Sequence, residues 1–166
     1  MGSIIDVVKH RTSVRSFDGR APADAEVANL TEFLSTVDGG PFGNAVRFRI
    51  VQVREGNTRR LRKLGTYSMI RGATTYLAGA VVRGEMAMED FGYATEAVIL
   101  HATELGRGSC RLAGSLDRSQ FAAMIGLRAD EVIPAVSPLG RPGGRSSPLV
   151  AAAMERHRSH NRAARS

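Results

Sequence analysis

The chain has 166 residues, 43% of them hydrophobic, and a formal net charge of +7 at neutral pH. This length suits one domain with its own core, and no apolar run reaches the roughly 18 residues that a membrane-spanning helix needs. The N-terminus lacks the pattern of a signal peptide, so we expect a cytoplasmic location and no membrane partner. The single cysteine, Cys110, excludes an internal disulfide, and base rates favour a small buried side chain over a reactive thiol.

The positive charge is concentrated at the C-terminus. Residues 141–166 hold six arginines and a single glutamate, whereas the rest of the chain is nearly balanced. A basic tail can bind a phosphate, an anionic membrane or nucleic acid, or it can be a solvated end. The sequence has no helix-turn-helix or RNA-binding motif, which argues against a nucleic-acid partner.

The first half of the chain predicts two helices, a strand and a short basic helix. Ser3, followed three residues later by Asp6, predicts the cap of a helix over residues 3–11. Apolar residues at helical spacing predict a second helix over residues 27–37, which Gly39 and Gly40 end. Alternation predicts a strand over residues 46–53 with Arg47 and Arg49 on its wetter face, before a basic helix over residues 58–64.

The second half mixes strands and helices without a regular alternation. Strands are predicted at Thr75–Val82, 109–113 and 132–139, and helices at 89–105, from Ser119 to Met124, and from Pro148 to about His157. Because Pro134 and Pro138 interrupt the strand over 132–139, we expect it at a sheet edge or with a bend. The mixture predicts an α+β fold.

The first candidate site is the stretch that follows the first helix. In an extended chain, Arg11, Ser13 and Arg15 point to the same side. Two guanidinium groups and a hydroxyl would then meet, and such a set suits a phosphate dianion because arginine donates paired, charge-assisted hydrogen bonds. A solvated loop with chance charges is the alternative.

The same stretch, KHRTSVRSF at residues 9–17, resembles the R-x-S-x-R-x-[FY] motif of FMN-dependent nitroreductases. Further similar segments follow in the family's order, over about residues 4–141. They are PFGN at 41–44, LGTY at 64–67, IRGA at 70–73, EDFGY at 89–93, LGRGSCRLAGS at 105–115 and IPAVSPLG at 133–140. Together they are similar to the subfamily labelled "putative TM nitroreductase".

The resemblance implies a nitroreductase-like three-layer α/β/α sandwich with a mainly antiparallel central sheet. It also implies a homodimer with FMN between the subunits, and hydride transfer from NAD(P)H through the flavin to a nitro compound, quinone or similar small acceptor. The FMN-binding domain would span residues 1–145, and residues 146–166 would form a basic C-terminal helix or tail.

Particular residues take roles from this resemblance. Arg11, Ser13 and Arg15 would hold the FMN phosphate and ribityl chain, Asn44 would touch the isoalloxazine, and the backbone at Ala113 and Gly114 would lie by flavin N5. Arg165 falls in the basic segment that would complete the phosphate site, although a frayed helix end is the more common state of a terminus. No residue is expected to act as a catalytic acid or base, and no metal is expected.

Two departures from the family pattern leave a second function open. Arg107 and Arg111 stand where the family has an apolar residue and a tryptophan, so they either point outward or belong to a changed site. Family members also continue for tens of residues beyond the segment that matches Arg165. The alternative function is therefore a non-catalytic flavin-binding protein for storage or regulation.

Overall fold

The computed structural model describes residues 3–53, 70–113 and 118–144. Its helices are α1 (Ile4–His10), α2 (Asp24–Ser35), α3 (Ala87–Glu104) and α4 (Arg118–Ile125). Its strands are β1 (Val46–Gln52), β2 (Thr75–Val82), β3 (Gly108–Ser109), β4 (Glu131–Val132) and β5 (Val136–Gly140). The predicted helices at 58–64 and from Pro148, and the predicted tail over 146–166, lie outside the described residues.

The strands form one sheet in the order β1-β2-β5-β3, and β4 pairs with the end of β2. Every pairing between these strands is antiparallel. The long strand β2 has β1 on one side and both β4 and β5 on the other, which explains why it reads as an almost continuous apolar run.

Helices cover both faces of the sheet. On one face, α2 and α3 pack through Leu30 and Val98 onto Leu77 and Leu139. On the other face, α4 places Phe121 and Ile125 against Tyr76 and its neighbours. Each face thus buries its own apolar cluster, and the predicted α+β class and three-layer α/β/α sandwich are confirmed.

Most predicted elements are found within one to three residues of their expected bounds. Ser3 does cap α1, because its hydroxyl accepts from the Ile5 amide and the Asp6 carboxylate accepts from the Ser3 amide. Two details were wrong. Ser119 lies inside α4 rather than at its cap, since α4 begins at Arg118. Arg47 was expected on the solvent-facing side of β1, but its side chain packs under α4 and donates a hydrogen bond to the Ile125 carbonyl.

The predicted strand over residues 132–139 is divided into β4 and β5, in agreement with the predicted bend, but β5 does not lie at an edge of the sheet. Pro134 falls in the break between β4 and β5, and β5 lies between β2 and β3. The register that joins Ser109 to Leu139 and Leu112 to Val136 puts Cys110 opposite Pro138. Proline has no amide hydrogen to donate, so ladder pairing is interrupted here and β3 stays short. Among the described helices, none has the length and apolar character to cross a bilayer.

Candidate functional site

The stretch after α1 is held in place by backbone hydrogen bonds to distant parts of the chain. The Val14 amide donates to the Ser109 carbonyl over 2.8 Å, and the Arg71 amide donates to the Arg15 carbonyl over 2.9 Å. Val14 turns towards the core and packs on Gly108, where a Cβ atom would come within 2.6 Å of the valine side chain. Ser13 and Arg15, the neighbours of Val14, therefore face away from the core contact.

Arg11, Ser13 and Arg15 act together on one buried group, the thiol of Cys110. Burial, the largest effect, raises the pKa of this thiol, while the positive charge of Arg15, a side-chain hydrogen bond with Ser13 and the positive charge of Arg11 oppose that rise. Arg11, Ser13 and Arg15 thus lie near one buried thiol, and their joint role in holding a phosphate stays a prediction. We call Arg11, Ser13 and Arg15 the N-terminal cradle. Cys110 itself is buried, as expected.

A carboxylate from α3 already contacts one arginine of the cradle. Glu96 Oε1 lies 3.4 Å from Arg11 Nε, and Glu96 Oε2 lies 3.0 Å from Arg111 Nη2. Arg111 therefore points outward and is paired. Glu96 was not among the predicted site residues, because an isolated glutamate on a helix surface is common.

Arg107, the other unexpected arginine, is accommodated differently. Its side chain is only 9% exposed and forms an ion pair with Glu26 at the start of α2, which Arg141 also approaches to 3.6 Å. Burial, with a smaller contribution from the charge of Arg141, lowers the pKa of Arg107, while Asp18 raises it. Within the described residues, Arg107 Nε has no hydrogen-bond partner. The two replacements thus end in different surroundings, one buried and one exposed.

The loop that holds Asn44 is fastened to the start of α3 by Asp90. The Asp90 carboxylate accepts from the Phe42 amide at 2.9 Å, the Asn44 amide at 2.7 Å and Asn44 Nδ2 at 2.8 Å. Asn44 Nδ2 also donates to the Glu85 carbonyl at 2.9 Å. The Asn44 side chain thus holds its own loop through Nδ2, and the contact of Asn44 with the isoalloxazine stays a prediction.

Asp90 is a site residue that the sequence reasoning missed. It is fully buried, and burial alone would raise its pKa, but the three hydrogen bonds together outweigh burial and place that pKa below its ordinary value. A signal was present, because Asp90, Ala94 and Val98 share the apolar face of α3, where an aspartate needs partners.

A cavity of about 600 Å³ opens beside this loop, lined by Pro41, Asn44 and Tyr93 among others. The loop and the cradle contact the same helix, the loop at Asp90 and the cradle at Glu96. Six residues of α-helix separate these contacts by about 9 Å along the axis. Of the remaining predicted residues, Ala113 is exposed and its carbonyl accepts from Arg118, whereas Gly114 and Arg165 lie outside the described residues.

The fold is that of the nitroreductases. A nitroreductase with bound FMN from Desulfitobacterium hafniense DCB-2 is 18% identical, with 89% of this chain and 93% of that chain covered and a TM-score of 0.68. A nitroreductase family protein from Clostridium difficile 630 is 17% identical, with 89% and 88% covered and a TM-score of 0.66. The FMN and NADPH-dependent nitroreductase NfnB of a sphigopyxis strain, in a mutant form, is 17% identical, with 87% and 90% covered and a TM-score of 0.65.

The family model described as "Putative TM nitroreductase" matches residues 3–164. The chain belongs to this family, as the order of its motifs predicted. A search of curated proteins found no match.

Proposed function

We propose that the protein is an FMN-dependent oxidoreductase that uses NAD(P)H to reduce a nitro compound, a quinone or a similar small acceptor. The observation that carries the proposal is the N-terminal cradle, in which Arg11, Ser13 and Arg15 lie near one buried thiol in a chain of the nitroreductase family. Two guanidinium groups and a hydroxyl fit the charge and the acceptor oxygens of a phosphate monoester.

The cradle would bind the phosphate and ribityl end of FMN. The loop over residues 41–44 and the backbone near Ala113 and Gly114 would border the ring, and Arg165 stays a proposed phosphate contact. Bound FMN supplies the hydride transfer, so the protein has to bind, orient and shield the ring rather than provide an acid–base pair. Asp90 contributes by holding the loop, because all three of its hydrogen bonds go to residues 42 and 44.

Exposed apolar side chains support a homodimer. Ile4, Ile5 and Val8 of α1 are more than half exposed, and so are Met88 and Tyr93 on α3, the helix against which α1 packs. Several exposed apolar side chains on two adjoining helices are consistent with a subunit interface. The alternative function is flavin binding without turnover, which needs the same cradle but no oxidation of NAD(P)H.

Titration with FMN, followed by flavin fluorescence, tests the cradle. We expect Arg15→Ala to weaken FMN binding by roughly 1.5–3 kcal/mol through loss of a charged hydrogen bond. Arg49→Ala, on the exposed part of β1, is the matched control and should leave the dissociation constant unchanged. Equal affinity of Arg15→Ala and the wild type would remove Arg15 from the site, and a wild type without FMN affinity would end the proposal. Steady NAD(P)H consumption with a nitroaromatic or quinone separates the enzyme from the storage protein.

A further inference from the structure

Glu96 lies between two arginines that come from different parts of the chain. Its Oε1 approaches Arg11 Nε to 3.4 Å, and its Oε2 approaches Arg111 Nη2 to 3.0 Å. The Glu96, Arg11 and Arg111 side chains are 42%, 34% and 41% exposed, so water reaches both ion pairs. Pairs of this kind are weak and exchange partners readily.

The contact with Arg11 uses the edge of the guanidinium group that carries Nε. This edge is one of those through which arginine gives paired hydrogen bonds to a carboxylate or a phosphate. An anion that binds Arg11 through the same edge has to displace Glu96. Arg15 differs, since among the described residues no carboxylate lies within ion-pair distance of it.

Arg111 gives the displaced carboxylate a second partner. Because the two oxygens of Glu96 contact different arginines, loss of the Arg11 contact leaves the shorter Arg111 contact intact. Arg111 thus reduces the free-energy cost of separating Glu96 from Arg11. This gives a function to Arg111, which departs from the family pattern.

We propose that Glu96 is an internal counter-anion of the cradle, which competes with the FMN phosphate for Arg11 and withdraws to Arg111 when the phosphate binds. The inference rests on the proposed function and adds to it a means of weakening phosphate affinity. It concerns the phosphate end alone, so it predicts different behaviour for FMN and for riboflavin, which has no phosphate.

Glu96→Gln removes the competing charge and preserves the shape of the side chain. We expect the dissociation constant for FMN to fall about three- to tenfold at low ionic strength, and that for riboflavin to stay unchanged. The control is Glu89→Gln, an exposed glutamate in the first turn of the same helix, which should leave both constants unchanged. Circular dichroism verifies that each variant is folded.

A double-mutant cycle with Arg11 separates direct competition from general repulsion. In an Arg11→Ala background, Glu96→Gln should lose most of its effect on FMN affinity, because the arginine for which both anions compete is absent. If Glu96→Gln raised FMN affinity equally with and without Arg11, the effect would be long-range charge repulsion, and the proposal would be overturned. Arg111→Ala should weaken FMN binding about two- to fivefold with Glu96 present, and have no effect in Glu96→Gln.

Inorganic phosphate, titrated by ³¹P NMR, gives a readout without flavin. If the wild type binds no FMN but Glu96→Gln gains phosphate affinity that depends on Arg11, the proposed function fails and the counter-anion stands. If the wild type binds FMN and Glu96→Gln binds FMN and phosphate no more tightly, the proposed function stands and the counter-anion is refuted.

Discussion

Two carboxylates in the core, Glu131 and Asp90, keep their charge by different means. Glu131 accepts from Arg47 Nε at 2.7 Å, from Arg47 Nη2 at 2.6 Å and from the Arg128 amide at 2.8 Å, so a full positive charge balances it. Asp90 is held by two amides and a carboxamide, without an ion pair in the described part of the chain. Glu131 should therefore matter most for stability, and Asp90 for the shape of the loop.

Stability should fall at acid pH because of Glu131. The hydrogen bond from Arg47 is the main reason that its pKa drops to about 2, well below the ordinary value of an unfolded chain. A depressed folded-state pKa gives stability that is complete above about pH 5 and is lost as the pH falls towards about 2. Urea denaturation over this range should show the loss in the wild type and a smaller loss in Glu131→Gln.

The same variant should be less stable at neutral pH. Without the carboxylate, the partly buried Arg47 keeps its hydrogen bonds to the Ile125 and Gly126 carbonyls but loses its opposite charge, which costs about 3 kcal/mol. Glu85→Gln, at an exposed position, is the control and should match the wild type at every pH. A Glu131→Gln protein with the acid sensitivity of the wild type would show that other groups cause it.

Asp90→Asn should disturb the loop over residues 42–44. An asparagine presents an NH₂ group to donors that now meet a carboxylate oxygen, so at least one buried donor loses its acceptor. We expect the melting temperature to fall by several degrees and hydrogen exchange of the Phe42 and Asn44 amides to accelerate. Glu89→Gln serves as the control. Unchanged exchange at both amides would mean that Asp90 does not fix the loop.

At the level of helices and strands, local patterns determine much of this fold. The apolar alternation around Phe48 and the long amphipathic pattern through Val98 predicted β1 and α3 well, because each element buries one continuous face. The central position of β5 was not predictable from the sequence. Pro138 favours an edge strand, and β5 can lie inside the sheet because its neighbour β3 does not pair with it at Pro138.

The candidate site likewise combines features that local spacing predicts with contacts that depend on the packing of the whole fold. The spacing of Arg11, Ser13 and Arg15 within one extended stretch was enough to predict that they converge. Contacts between distant segments, such as Arg107 with Glu26 and Asn44 with Asp90, depend on how helices and loops pack, and no local spacing encodes them. Local sequence patterns therefore predict which residues could form the cradle, whereas the long-range contacts around it become visible only in the fold.

Substitution of two glycines by alanine should change the free energy of unfolding in opposite directions. Gly92 lies inside α3 with no atom near its added Cβ, so Gly92→Ala should raise the free energy of unfolding by about 0.5–1 kcal/mol. Gly108→Ala should lower it by about 1–3 kcal/mol, because the new Cβ would meet Val14 at 2.6 Å.

Gly108→Ala should also weaken FMN binding, since Val14 lies between Ser13 and Arg15 of the cradle. Thermal denaturation and FMN titration of both variants test this pair. If Gly108→Ala were as stable as the wild type and bound FMN equally well, Val14 would not set the position of the cradle.

At the level of the whole molecule, α1 and α3 carry most of the large apolar side chains that are exposed among the described residues. Ile5 is 60% exposed and Tyr93 is 64% exposed. If two copies join through this face, Ile5→Glu should give monomers, because a charge buried between apolar surfaces is costly. Light scattering coupled to size-exclusion chromatography measures the mass. Glu32→Lys changes a charge at an exposed position of α2 and should leave the dimer intact, whereas a dimeric Ile5→Glu protein would place the interface elsewhere.

The attachment of the cradle has a consequence for biosynthesis. Residues 14–18 bond to Arg71, Ser109, Arg141 and Gly143, so this segment can be held in its final position only after the chain has been synthesised as far as residue 143. Contacts so far apart in sequence form slowly, because the intervening chain has to be ordered first. A nascent chain that has emerged only halfway has the residues of the cradle and Arg71, but it lacks the hydrogen-bond partners at residues 109, 141 and 143.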